Sequence, residues 1–163
     1  MAHITLYMMI GIPGSGKSTW RKAYLSDAII VSPDDILEEK YNYEWTPQRA
    51  GQAWRECYRR IGALVHEAAL DDSDRAIEVV FDAVFPTPQD RNALLNICKG
   101  MGVKVVAVYF AIPLDTCKAR NDLRPSNRKV PYKQLENFER RMTPPADYEG
   151  FDEVIFVTPK DQI

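Results

Sequence analysis

The chain has 163 residues, 45% hydrophobic and 27% charged, with a formal net charge of −2. That length suits one domain and is short for two, and the composition is that of a folded globular chain, which excludes disordered and fibrous classes. The acidic balance argues against a surface coated in positive charge for duplex nucleic acid, but it is uneven. Lys118 to Arg141 holds eight basic and three acidic residues, so that segment is +5 and the remainder −7; local positive charge in an acidic chain points to a compact anionic ligand such as a polyphosphate.

Taken in order, Ile4–Ile10 is apolar and bounded by Gly11, which predicts a buried strand. Lys17–Leu25 reads as a helix and Ala28–Val31 as a second strand. Ser32-Pro33-Asp34-Asp35 has the chemistry of a helix start, with Ser32 as N-cap, Pro33 in the first position and acids at the positive end of the dipole. Thr46-Pro47 repeats the signal and opens a long helix to Leu70, with Ala53, Trp54, Cys57, Ile61, Leu64 and Ala68 on one face. Ala76–Phe81 is a third strand ending on Asp82, Thr87–Lys99 a helix stopped by Gly100, and Val103–Ala111 a fourth strand. Pro113 and Pro131 open two further helices, to about Arg120 and Met142, and Val154–Val157 is a fifth strand. Strands alternating with helices imply a parallel sheet covered on both faces, in one domain over 1–163.

Gly11-Ile12-Pro13-Gly14-Ser15-Gly16-Lys17-Ser18 matches G-x-x-x-x-G-K-[ST] between a predicted strand and a predicted helix, the context the motif requires. The loop from Gly11 to Thr19, including Pro13, Gly14, Ser15 and Gly16, is therefore expected to wrap the phosphates of ATP. Glycines let successive N–H groups face one oxyanion, and the helix adds its N-terminal partial charge. Lys17 supplies a mobile cation to the β- and γ-phosphates, and the Ser18 hydroxyl can sit on Mg²⁺.

Three further features bear on chemistry. Asp34-Asp35 follows the second strand, where ligands gather in an open parallel sheet. An acid there can accept the proton of an attacking hydroxyl, or the pair can simply complete a helix start; with Asp35 in the capping position, Asp34 is left to face the cleft. Asp82, closing an apolar strand, is placed as a Mg²⁺ partner, directly or through water. Arg120, Arg124 and Arg128 recur every four residues between two helices, a pattern expected of a lid over transferring phosphates at about 120–130, or of a solvated basic loop.

The remaining residues carry less. His3 and His66 lack partners at metal-ligand spacing. Trp20, Trp45, Trp54, Tyr41, Tyr43 and Tyr58 can stack bases, but such residues are more often helix-packing aromatics. Cys57, Cys98 and Cys117 are scattered and odd in number, as expected of buried free thiols in a reducing compartment. With no apolar run of membrane-spanning length, a cytoplasmic protein is expected.

The segment Gly11 to Trp20, Ser32-Pro33-Asp34-Asp35, the strand ending at Asp82, and Arg120-Asn121 followed by Arg124 and Val130-Pro131 together resemble the kinase domain of bacteriophage-type polynucleotide 5′-kinases. The resemblance implies a three-layer, adenylate-kinase-like P-loop fold with strand order 2-3-1-4-5. It implies ATP and Mg²⁺ as cofactors and transfer of the γ-phosphate to the 5′-hydroxyl of DNA or RNA. In that scheme Asp34 is the general base, Lys17 and Ser18 are the phosphate and Mg²⁺ contacts, Arg124 is the lid arginine and Arg120 a second lid contact. At 163 residues no room is expected for the phosphatase domain that often accompanies this kinase. Two positions depart from the pattern, both on the acceptor side: Leu37 stands where the family has arginine, and Ala83 where it has threonine or asparagine. Arg49, Arg55 and Arg91 are the cations that stand to replace them. A small-molecule or nucleoside kinase, and a P-loop ATPase or switch without an acceptor, remain open, as does the oligomeric state.

Overall fold

A computed structural model describes residues 1–162 of the chain. Five parallel strands, β1 (His3–Ile10), β2 (Ile29–Val31), β3 (Ala76–Asp82), β4 (Lys104–Phe110) and β5 (Glu153–Val157), form one sheet in the order β2-β3-β1-β4-β5. The three-layer P-loop fold and its strand order are as expected. β1 is central because its sequence is apolar on both faces. Leu6, Met8 and Ile10 enter one core and Met9 the other, the two-residue alternation of a strand covered on both sides.

Among the described residues six α-helices cover the sheet: α1 (Lys17–Tyr24), α2 (Pro33–Tyr41), α3 (Pro47–Leu70), α4 (Pro88–Gly100), α5 (Leu114–Asp122) and α6 (Tyr132–Arg141). Three start on proline, whose missing N–H is lost at no cost in a first turn. Thr46 caps α3 by accepting from the Arg49 N–H, and Thr87 with Asp90 forms a reciprocal capping box on α4. Ser32 occupies the N-cap of α2, but its side chain makes no capping hydrogen bond. Gly100 is still helical; the left-handed residue that ends the α4 turn is Gly102, with φ 71°.

The larger core lies between the sheet and α2, α3 and α4. Trp54 and Tyr58, one turn apart on α3, meet Phe81 and Phe85 there, and Phe81 is fully buried. Truncating a buried phenylalanine of this kind costs about 3–5 kcal/mol. All three cysteines are buried and free, and burial pushes their thiols up to about 12 for Cys57 and about 11 for Cys98 and Cys117, so none is poised as a nucleophile. Among the described residues no helix is long and apolar enough to cross a membrane.

Candidate active site

The site forms where β1, β2 and β3 end together. In the parallel register Met9 pairs with Asp82, so the loop leaving β1 and the carboxylate closing β3 emerge side by side. The Gly11 N–H donates to the Val84 carbonyl and continues that pairing by one bond. Gly14 and Gly16 have φ of 86° and 89°, the left-handed region that a Cβ would strain. Space is equally tight: a Cβ on Gly14 would meet the Cys117 carbonyl oxygen at 2.5 Å, and one on Gly11 the Ser15 hydroxyl at 2.6 Å. Gly16 is the N-cap of α1 and supplies no side-chain acceptor, which leaves the first N–H groups of the helix to another partner. The Ser15 Oγ is buried without a hydrogen-bond partner. A curled glycine backbone, an uncapped helix start and an orphaned buried hydroxyl together fit a phosphate group.

Lys17 lies inside this curl, its side chain 13% exposed. Its Nζ donates to the Gly11 carbonyl at 2.9 Å and the Ala83 carbonyl at 3.0 Å, and pairs with Asp82 Oδ1 at 3.2 Å. Asp82 is thus beside the loop, as its place at a strand end suggested. Among the described residues no three His, Cys, Asp or Glu side chains cluster as a metal cage.

On α2 the two acids divide their roles differently from the expectation. Asp35 makes no capping bond; it is half-buried, and its carboxyl is raised first by desolvation and then by the charge of Asp82, against the lowering effect of Arg128. Asp34 is solvent-exposed. Leu37 is buried at 6% exposure, in the core beneath α2. An arginine there would have to strand its charge, so the departure at this position is built into the packing.

The basic segment is tied down at its base. Asn121, buried, donates from Nδ2 to the Val130 carbonyl and accepts from the Val130 N–H, closing the segment that contains a short 3-10 turn at Ser126–Arg128. Arg120 reaches the phosphate loop: Nη1 donates to the Gly14 carbonyl at 3.2 Å, and Nη2 to Gln162 Oε1 at 2.8 Å. Gln162 Nε2 in turn donates to the Ser15 carbonyl. Arg128 points elsewhere, pairing with Glu38 at 2.8 Å and lying over the Tyr43 ring at 4.6 Å. It stands on the α2 side of the cleft, whereas the sequence reading counts it among the nucleotide contacts of a lid. Arg91 is also removed from the acceptor candidates, since it is fully buried in an ion pair with Glu149. The roles of Asn121, Gln162 and Glu149 were not foreseen; the Arg-Asn pair hints at Asn121, whereas nothing local in the sequence marks the other two.

Comparison with known proteins gives a consistent picture. The sequence profile of the AAA domain family (AAA_33) matches residues 6–145. The L-seryl-tRNA(Sec) kinase of Methanococcus maripaludis is 26% identical over 156 residues, covering 88% of this chain and 54% of that protein. The chain thus spans about half the length of this curated relative. A crystal structure of a candidate kinase from Chloroflexus aurantiacus superposes with TM-score 0.72 at 16% identity, over 100% of this chain and 90% of the other. A chain of the Pnkp1/Rnl/Hen1 RNA repair complex does so with TM-score 0.72 at 17% identity, over 87% of this chain and 45% of the other. At these identities the two structures speak to the fold.

Proposed function

The chain belongs to the AAA domain family (AAA_33), and on that premise we propose that it is a P-loop kinase that transfers the γ-phosphate of ATP to a hydroxyl borne by a nucleic acid, the 5′-hydroxyl of DNA or RNA first. The observation that carries this reading is the meeting of a P-loop lysine, a strand-end aspartate and the acids of α2 at the carboxyl ends of β1, β3 and β2, with Arg120 across the loop. A relative named for a tRNA-borne substrate supports the acceptor class.

In this scheme Gly11 to Thr19 binds the polyphosphate through backbone N–H groups, and Lys17 and Ser18 orient it. When bound, ATP with Mg²⁺ supplies the transferable phosphoryl group and neutralises part of its charge, with Ser18 and, through water, Asp82 as the protein contacts. Asp34 takes the proton of the acceptor hydroxyl as the oxygen attacks phosphorus. Arg120 and Arg124, in a lid over about residues 120–130, stabilise the charge that grows on the leaving and transferring oxygens, while Arg128 of the same segment faces α2.

A second reading is a small-molecule or nucleoside kinase, favoured by the burial of Leu37, which leaves no arginine on that turn of α2 for an acceptor phosphate. One experiment separates the two. The protein is incubated with γ-labelled ATP and Mg²⁺ and offered 5′-hydroxyl DNA, 5′-hydroxyl RNA and nucleosides in parallel. Label on the oligonucleotides is expected; label confined to nucleosides, or released only as free phosphate, overturns the nucleic-acid reading.

A further inference from the structure

The connector between α2 and α3 is built unlike an ordinary surface loop. Asn42 and Tyr43 both take positive φ, 49° and 63°. Left-handed backbone is unfavourable for a bulky aromatic residue, and strain of this kind persists only where the surroundings enforce it. Here they do: the Tyr43 N–H donates to the Leu37 carbonyl, and its hydroxyl donates to Glu38 Oε2 at 2.8 Å. The strained residue is held with its ring against the Arg128 guanidinium.

A second stack spans the same connector, from the end of α2 to the start of α3. The Arg49 guanidinium sits 4.8 Å from the centroid of the Tyr41 ring, and its Nη1 donates to the Glu44 carbonyl at 2.9 Å and pairs with the Glu44 carboxylate at 3.1 Å. In the same connector Trp45 is 64% exposed and belongs to neither core cluster. The expectation of packing holds for Trp20, Trp54 and Tyr58 and in part for Tyr41 and Tyr43, which rest one side against the core, and fails for Trp45. The connector follows the C-terminal end of α2, the helix that carries Asp34 and Asp35 in its first turn. Arg128, paired with Glu38 one turn beyond Asp34, ties this surface to the helix that carries the carboxylates of the cleft.

We propose that Tyr41, Tyr43, Trp45, Arg49 and Arg128 form a platform for single-stranded nucleic acid, holding the nucleotides 3′ of the acceptor hydroxyl. This rests on the nucleic-acid reading above and adds where the strand lies. The exposed indole and the guanidinium planes offer faces for bases, and the same guanidiniums offer charge to phosphates, the combination that binds single strands without reading sequence. Glu38 and Glu44 hold the two arginines in place through exposed ion pairs, which are weak enough for a phosphate to displace. The platform also accounts for Leu37: the acceptor-side cations come from α3 and from the basic segment, so α2 can use that position for its core.

The test measures KM for nucleoside 3′-monophosphate and for a 5′-hydroxyl hexanucleotide with wild type, Trp45→Ala and Arg49→Ala, each checked for folding by thermal melting. Wild type is expected to favour the hexamer by about tenfold or more, the size of one or two stacked bases, and each variant to lose most of that ratio. Variants that keep the wild-type ratio overturn the platform. In parallel, fluorescence anisotropy follows a labelled hexamer binding to the same proteins. If wild type transfers no phosphate to the hexamer yet binds it, and Trp45→Ala does not bind, the platform stands and the transfer reading falls. If wild type neither phosphorylates nor binds the hexamer, the platform falls as well.

Discussion

Lys17 Nζ stands 3.2 Å from Asp82 Oδ1, so the cation of the loop after β1 and the carboxylate that closes β3 neutralise each other across adjacent strands. The pair is mostly shielded, and the lysine is also held by the Gly11 and Ala83 carbonyls. Lys17→Ala removes the loop's mobile cation and leaves Asp82 without its partner. Under the kinase reading kcat/KM should fall by at least about 10²-fold, the range for deleting one transition-state donor, and nucleotide affinity should weaken too. Initial rates with γ-labelled ATP and a nucleotide titration check both; normal turnover in this variant would remove Lys17 from the mechanism.

The two acids of α2 make a sharper comparison. Asp34, exposed, is proposed to accept the acceptor proton; Asp35, half-buried, faces the charge of Asp82. Asp34→Asn should keep ATP affinity and lose on the order of 10²–10⁴ in kcat, the worth of a general base. Asp35→Asn should stay within about tenfold of wild type. The reverse ranking, measured on the same oligonucleotide acceptor, would reassign the base to Asp35.

Asp35 also makes a prediction about stability and pH. Its folded-state carboxyl lies above the ordinary value of 3.8, because desolvation and Asp82 both disfavour the charge. Ionised Asp35 therefore weighs against the fold. That weight is absent below 3.8, grows as pH rises to the raised value, and is constant above it. Asp35→Asn should accordingly melt higher than wild type at pH 7. The gain should shrink as pH falls through the raised value toward 3.8. Melting curves across that window check the sign, and a gain independent of pH would mean that charge is not its cause.

Much of this was legible in the sequence because it depends on local rules. An apolar strand, a glycine curl and a lysine at fixed spacing define the P-loop, and proline with threonine at Thr46-Pro47 and Thr87-Pro88 marks helix starts. What was not legible depends on partners distant along the chain. Arg91 reads as one more helix arginine until Glu149 is seen beside it, and Arg128 reads as a phosphate contact until Glu38 and Tyr43 claim it. Ser32 has the right residue type for a cap, but it is buried and makes no capping bond. The pattern gave its position and not its partner.

The Arg91–Glu149 pair shows how such a distant contact can hold the cleft in shape. Both side chains are sealed from solvent, at 0% and 4% exposure. Glu149 takes Nη1 with both oxygens, at 3.1 and 3.0 Å. The same guanidinium donates to the Phe85 carbonyl at 3.0 Å, the Pro86 carbonyl at 3.2 Å and the Thr143 carbonyl. Phe85 is itself left-handed, with φ 51°, in the loop that follows Asp82 and Ala83. Arg91→Ala strands a buried carboxylate and should cost about 3–5 kcal/mol by urea unfolding. Replacing both residues by methionine strands no charge, so a simple ion pair would then recover fully or better. The buried Phe85 carbonyl would still lack its donor, whereas the Pro86 carbonyl keeps the Thr143 N–H, and leaving a buried acceptor unpaired costs about 1–3 kcal/mol. The double variant should therefore remain clearly less stable than wild type. Recovery to wild-type stability would mean that Arg91 is only a counter-ion, and that the loop after β3 owes its conformation to the packing of Phe85 against Trp54 and Phe81 instead.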